Sequence, residues 1–487
     1  MKTKFLTRLS TFALILVVCF MALVGCVSNL EMPETNAPVT GNGELVVQKG
    51  DYLYFVNGYK TTDDMVDGDN RGGEKYAAIY RVKLGENNTL SYNEDGELEN
   101  CELVIDKICG FEKTALYIFG DYIYYATPNT DKVASGDQTV SNFKLTDFYR
   151  AKLDGTSRTL IYKTNLTSTS TKFAFYKVNG VEDVYLSLFD GTKLVFVNCG
   201  NKAITTVCDS VASVAMPKYD VYNAQNNQIS VGASYVYYTR SGTDEEDLAS
   251  GNVLCCAKIG ENQERVLASG TYTYSVVSAN NDALFLTKKL SYESNANNYV
   301  LPYAYDAQGN IALDAQNGGT QLDSTAHSTI FIATFENGNS TGIITTNSTG
   351  KLLYIKLSAN GQKTYEILNE EKNLTPLAVS GSFVYAYDGE NNLYQINYKA
   401  VDKSTATTLL VDNSLSTEEE PIKTPYFSAT KNFSVCGSYV YYFATYAGDD
   451  ATGYYLNRVI TSHQETYKQE LVGVVQDIHI VAEQEEE

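Results

Sequence analysis

Tryptophan is absent from the 487 residues, histidine occurs three times and proline eight times. Each scarcity removes a class of chemistry. A serine or cysteine relay needs a histidine with an acid and an activated nucleophile beside it. The histidines stand singly, in Ala326-His327-Ser328, Ser462-His463-Gln464 and Ile478-His479-Ile480, and no two share a metal-ligand spacing. His479 alternates with apolar neighbours and reads as a strand residue; His463 reads as part of a turn. A phosphate-binding glycine loop is also missing. Of the nine cysteines, none shows the C-x-x-C spacing of a zinc or redox site. Beyond Cys19 and Cys26 they are Cys101, Cys109, Cys199, Cys208, Cys255, Cys256 and Cys436, an odd set that cannot all pair. Several lie in apolar runs such as Val195-Phe196-Val197-Asn198-Cys199, which reads as small buried hydrophobes carrying thiols.

Basic residues are few as well, 37 against 58 acidic. Three of the 37 and none of the 58 fall in residues 1–25, so the chain from Cys26 onward carries a net charge of −24. Such a surface repels nucleic acid and anionic headgroups. Basic–aromatic interleaving of the nucleic-acid kind is absent too.

What is present begins at the N-terminus. Lys2, Lys4 and Arg8 precede an uncharged run from Leu9 to Gly25, and Leu23-Val24-Gly25-Cys26 has the form of a bacterial lipobox. A basic n-region stays at the cytoplasmic face while the apolar h-region enters the bilayer. The small residues before the cleavage point fit a peptidase cleft, and the Cys26 thiol is the group that takes a diacylglyceryl chain. The expectation is a signal peptide over 1–25, lipidation at Cys26 and residence on the outer side of a bacterial cell membrane. The alternative is an uncleaved anchor, since about 17 apolar residues is the lower limit for a span. Residues 26–43 lack periodicity and read as a flexible tether.

From residue 44 onward a unit recurs, rich in tyrosine (39 in the chain) and in β-branched residues punctuated by glycine and asparagine. Its first element is an aromatic strand: Asp51-Tyr52-Leu53-Tyr54-Phe55, Asp121-Tyr122-Ile123-Tyr124-Tyr125, Phe173-Ala174-Phe175-Tyr176, Tyr235-Val236-Tyr237-Tyr238, Ser382-Phe383-Val384-Tyr385 and Ser438-Tyr439-Val440-Tyr441-Tyr442. Weaker copies stand at Ala283–Leu286 and Thr329–Ile332. A second strand follows, as in Phe148-Tyr149-Arg150-Ala151-Lys152-Leu153-Asp154-Gly155. In the fifth copy Pro302 makes this strand irregular. Units of roughly 50–60 residues with about four strands each predict an all-β fold, a single β-propeller over 44–487 with a short acidic C-terminal tail. Eight blades are favoured; seven result if the two weakest units are one decorated blade. Glu44–Gln48 and Leu471–Gln476 are expected to complete one sheet between them and close the ring.

The Asp-Tyr-Ile-Tyr-Tyr and Phe-Tyr-Arg-Ala-Lys-Leu-Asp-Gly-Thr segments resemble the YWTD-like propeller repeats of bacterial surface lipoproteins of the DUF5050 and TolB-like type. The resemblance spans about residues 44–480. It implies architecture and carries no catalytic residues.

The remaining candidates are acidic. If the aromatic run is the second strand of each blade, segments 56–77, 126–146, 240–252 and 445–452 leave the ring at one end. They carry Asp63, Asp64, Asp67 and Asp69, then Asp244, Glu245, Glu246 and Asp247, then Asp449 and Asp450. Long loops on one rim are where a propeller places binding surface. Asp67-x-Asp69 begins like a calcium loop, but the twelfth position is Ala78 where a glutamate is required, so no cofactor is assigned and calcium is the one cation considered. The reading is a monomeric, lipid-anchored propeller that binds a protein or a glycan. The alternatives are a glycan hydrolase or lyase with carboxylates at the central channel, and an envelope-assembly scaffold.

Overall fold

The computed structural model describes residues 31–58, 77–94, 98–109, 115–129, 132–135, 138–141, 145–167, 172–177, 183–217, 235–242, 252–279, 283–290, 292–307, 310–313, 315, 318–322, 330–334, 341–357, 362–413, 424–425, 433–445, 455–462 and 469–473. Eight antiparallel sheets follow one another along the chain, each built on a four-stranded meander, and together they form an eight-bladed β-propeller. Blade 1 is Val46–Lys49, Tyr52–Val56, Ile79–Lys83 and Cys101–Ile105. Blade 8 is Phe433–Cys436, Tyr439–Thr445, Tyr455–Ile460 and Glu470–Leu471. Among the described residues, helix is confined to two short 3-10 turns, and no helix is long and apolar enough to cross a membrane.

The aromatic runs occupy the middle of the blades because middle strands are covered on both faces. Every residue of Tyr52–Val56 is buried, and so is nearly every residue of Tyr235–Ser241. A strand packed on both sides reads as a continuous apolar run and not as an alternation. The fourth strands, such as Ile204–Cys208 and Lys363–Ile367, are half-buried or exposed. First strands of neighbouring blades approach one another, Val46–Lys49 beside Phe433–Cys436 and Thr375–Ser380 beside Phe433–Cys436, which places them at the axis.

Apolar clusters join each blade to the next around the whole circle. Val47, Tyr54 and Ile79 of blade 1 pack on Ile123, Tyr125 and Ala151 of blade 2. Blades 2, 3 and 4 share one cluster, and further clusters join 4 to 5, 5 to 6, 6 to 7 and 7 to 8. The circle is completed by Leu45, Leu53, Phe55, Tyr80 and Val82 of blade 1 against Tyr439, Tyr441, Phe443 and Leu456 of blade 8.

Three expectations change here. Among the described residues the terminal segments do not share a sheet: Val46–Lys49 pairs inside blade 1 and Glu470–Leu471 inside blade 8. Closure comes from side chains instead, with Val472 wholly buried in the shared cluster, Leu45 N donating to Ser434 Oγ at 2.9 Å and Tyr92 Oη to the Leu471 carbonyl at 2.7 Å. Residues 474–476 lie outside the described residues. Second, the aromatic run of the third unit lies in the first strand, Lys172–Lys177, and that of the sixth unit falls in the first strand, Ile330–Thr334. Their second strands, Val184–Phe189 and Thr341–Thr346, have fewer rings. Third, part of the expected tether is docked: Val39–Thr40 adds an edge strand to blade 1, and Asn42 exchanges two hydrogen bonds with Ile118 of blade 2. Pro302 ends the third strand of blade 5, opposite Ala283.

The Lys-Leu-x-Gly ending of the third strands has a packing reason. Gly155 closes the hairpin with φ +80°, and a Cβ there would lie 1.9 Å from the Val104 carbonyl oxygen of blade 1. Gly381, in the tight turn between the first and second strands of blade 7, has φ +56° but no atom within 4 Å of the same position. Gly381→Ala should therefore lose only the left-handed backbone term, about 1–2 kcal/mol. Gly155→Ala should lose that and a further ~1–3 kcal/mol from overpacking. Urea midpoints of the two variants test this; equal losses would show that the contact with Val104 is soft.

Candidate functional site

Cys26, the ten acidic rim residues Asp63, Asp64, Asp67, Asp69, Asp244, Glu245, Glu246, Asp247, Asp449 and Asp450, and all three histidines lie outside the described residues. What is described is the set of strands from which their segments spring. The aromatic runs of blades 1, 2, 4 and 8 are second strands, and the four connections run from second to third strand. In alternating meanders all such connections leave at the same end of the ring. Blades 1, 2 and 8 are neighbours, so the connections holding Asp63–Asp69 and Asp449–Asp450 spring from adjacent blades. The connection holding Asp244–Asp247 springs from blade 4, three blades from the first.

The bases of the connections are fixed. Asn57 N donates to the Ala78 carbonyl at 2.8 Å and Ala77 N to the Asn57 carbonyl at 2.9 Å. In blade 2, Asn129 N donates to the Leu145 carbonyl, and its side-chain amide donates to Asp147 Oδ1 at 2.9 Å. Blades 3, 6 and 7 have short turns at this end, closed by Asp190, Asn347 and Asp388 accepting from backbone amides two to four residues on. The carboxylates there are engaged in turn closure.

A second constellation was not anticipated: a ladder of tyrosine, arginine and glutamate across three strands. In blade 1 Tyr54, Arg81 and Glu102 stand directly opposite one another. Arg81 Nε donates to Glu102 Oε2 at 2.7 Å, Nη1 to Tyr54 Oη at 3.4 Å, and the guanidinium lies 4.9 Å from the Tyr52 ring centre. Blade 8 repeats the row with Tyr441, Arg458 and Glu470; Arg458 lies 4.0 Å over Tyr439 and donates to the Asn88 carbonyl of blade 1 at 2.9 Å. Blade 2 has Tyr124, Arg150 and Thr159, and blade 7 has Tyr385, Gln395 and Thr408. Blade 4 keeps the chemistry in another register, Arg240 bridging both oxygens of Glu264 while Tyr238 Oη donates to the same carboxylate at 2.8 Å. The signal was available in the recurrent Tyr-Arg of the third strands.

These groups are held in unreactive forms. Burial pushes the Tyr54 phenol up to about 12. Burial likewise raises the thiols of Cys199 and Cys256 to about 12, and burial raises those of Cys109 and Cys255 as well. All seven cysteines beyond Cys26 are thiols, five of them buried. Every described carboxylate with a resolved departure, namely Glu31, Glu264, Glu366, Asp388 and Asp402, is lowered. A general acid for glycan cleavage needs a raised one. Among the described residues, no group of three His, Cys, Asp or Glu is placed to hold a metal.

No family model and no curated protein matches the chain. Several solved structures resemble it at low identity. A nidogen–laminin complex is 13% identical, with 53% of this chain and 89% of that chain covered and a TM-score of 0.26. A prolyl endopeptidase is 12% identical over 88% of this chain, which spans 55% of that enzyme's chain, at a TM-score of 0.41. TolB from Acinetobacter baumannii is 11% identical, with 71% and 82% covered and a TM-score of 0.27. At these values the eight-bladed assignment rests on the strand pairing and interblade packing above.

The blade 4 ladder predicts a pH dependence. Burial works against the Glu264 charge, but the hydrogen bonds from Arg240 and Tyr238 outweigh it and hold the carboxyl below its ordinary 4.5. A carboxyl lowered on folding adds stability above its unfolded value and loses it as pH falls through the folded one. Glu264→Gln should be less stable than wild type by about 1.5–3 kcal/mol at pH 7. The gap should close as pH drops below 4.5. Urea titrations at pH 7, 5 and 3 measure it; a gap constant with pH would remove the ionic contribution.

Proposed function

We propose that this protein is a lipid-anchored, extracytoplasmic propeller of a bacterial cell membrane, that residues 1–25 are its signal peptide, and that its rim of long connections binds a protein or a glycan. The observation that carries the binding reading is topological: the four longest second-to-third-strand connections leave one end of the ring, those of blades 1 and 2 from hydrogen-bonded bases. Length beyond what a turn needs, on one rim of a rigid scaffold, is the usual form of a binding surface. The acidic residues within those connections, and the net charge of −24 from Cys26 onward, favour a cation or a basic partner.

Two experiments address the two halves. Cys26→Ala should accumulate as uncleaved precursor and take up no labelled fatty acid; a native protein whose Cys26 is unmodified by mass spectrometry would end the anchoring reading. For the rim, titration calorimetry with calcium and with a cationic peptide would be run on wild type and on a variant with Asp244, Glu245, Glu246 and Asp247 neutralised. Peptide binding should fade as the Debye length shortens to about 8 Å near physiological salt, whereas a local calcium site should persist. Absence of heat in both, with unchanged recovery of envelope partners by the variant, would reduce these connections to solubilising surface.

A further inference from the structure

The chain ahead of blade 1 is fastened to one particular end of the ring. Lys49, Tyr52 and Lys83 mark the end at which the first strand of blade 1 turns into the second and the third strand finishes. The long connection after Val56 springs from the opposite end. Glu31 accepts from Lys83 Nζ at 2.8 Å and from Tyr52 Oη at 3.2 Å. Arg81 Nη1 lies 3.9 Å from Met32 Sδ. Lys49 is 1% exposed, and its ammonium donates to the carbonyls of Thr35 at 2.8 Å and Ala37 at 3.5 Å. A turn from Glu34 to Ala37, the Gly50 N bond to the Pro38 carbonyl and the pairing of Val39–Thr40 with Gln48–Lys49 complete the fastening. Pro33 and Pro38 restrict the backbone between these points.

We infer that this segment is an orienting strut, holding the end of the propeller that carries Lys49, Tyr52 and Lys83 against the lipid surface and pointing the long acidic connections away from it. The inference rests on lipidation of Cys26. Five Cα–Cα steps separate Cys26 from Glu31, a reach of at most about 18 Å. The second strand of blade 1, to which the leader is fastened, has five residues and spans ~17 Å at 3.4 Å per residue, so only a leader fully extended along the blade would bring the lipid-bearing residue level with the other end, and every less extended path keeps it nearer the strut end. The charge at the two ends agrees. The strut end is mixed, with Lys83, Lys152 and Lys258 at the ends of their third strands beside Asp51, Asp121 and Glu86. Such a face approaches anionic headgroups with less repulsion than a face of acidic connections.

The test uses the full-length lipidated protein in nanodiscs of phosphatidylethanolamine and phosphatidylglycerol that contain an energy-acceptor lipid. A fluorescent amino acid is placed at Val401, fully exposed in the third-to-fourth-strand connection of blade 7, or at exposed Glu390 in its second-to-third-strand turn. Transfer should be several-fold greater from position 401. Equal transfer, or greater transfer from 390, overturns the inference. A variant with about 20 Gly/Ser residues inserted between Ser28 and Asn29 keeps the docking contacts but lengthens the leash by a coil of about 25 Å. Its two positions should converge, and an undiminished difference would show that the strut is not what orients the ring. Protein that carries no lipid and stays off the nanodiscs would instead overturn the anchoring reading, a result distinct from a wrongly oriented but anchored ring.

Discussion

The contact between blade 8 and blade 1 is the constraint on which the rest depends. Seven of the eight interblade junctions join blades that follow each other in the chain; the eighth joins its two ends. Propellers often secure that junction by having both termini contribute strands to one sheet. Among the described residues the first and last blade strands each pair within their own blade, and Leu53, Phe55 and Tyr80 meet Tyr441, Phe443 and Leu456 across the gap. Among the described residues, hydrogen bonds that cross it include Leu45 to Ser434, Tyr92 to Leu471, Arg458 to Asn88 and the Cys436 thiol to the Thr40 carbonyl. Closure is therefore mainly an apolar packing event, with strength set by buried area and fit.

The tyrosine–arginine–glutamate ladders solve a related problem. A blade's outer strands have no neighbour beyond them, and their burial is poor. An arginine stacked on a tyrosine ring and paired with a carboxylate on the fourth strand ties three strands together at one level, using both the π-face and the guanidinium fork. In blade 8 the same arginine reaches the Asn88 carbonyl, so the ladder also contributes to closure. Replacement by Gln395 in blade 7 keeps the bond to tyrosine and gives up the charge.

The architecture was legible because a strand covered on both faces leaves an unbroken apolar run, and six aromatic runs with two weaker copies stood in the chain. The strand assignment slipped in blades 3 and 6, where Phe173–Tyr176 and Ile330–Ile332 sit in first strands; composition does not separate two adjacent apolar strands. Closure was misassigned because a short apolar segment announces a strand but not its partner. The docked leader was invisible for another reason. Its backbone carbonyls at Thr35 and Ala37 receive Lys49, and a backbone acceptor leaves no trace in residue identity. The rim residues were legible only as a composition and a connection type, and the strands fix the connection type alone.

Closure by packing between the first and last blades bears on how the chain is made. Leu45 and Ser434 are 389 positions apart, so blade 1 emerges first and waits for its partner until nearly everything else has followed. Throughout that interval the apolar face formed by Leu53, Phe55, Tyr80 and Val82 has nothing to cover it. Contacts of such sequence separation form slowly, and a bare apolar face in a growing chain is open to aggregation. The late arrival of blade 8 leaves that face of blade 1 bare until the strands from Phe433 to Leu471 have been made.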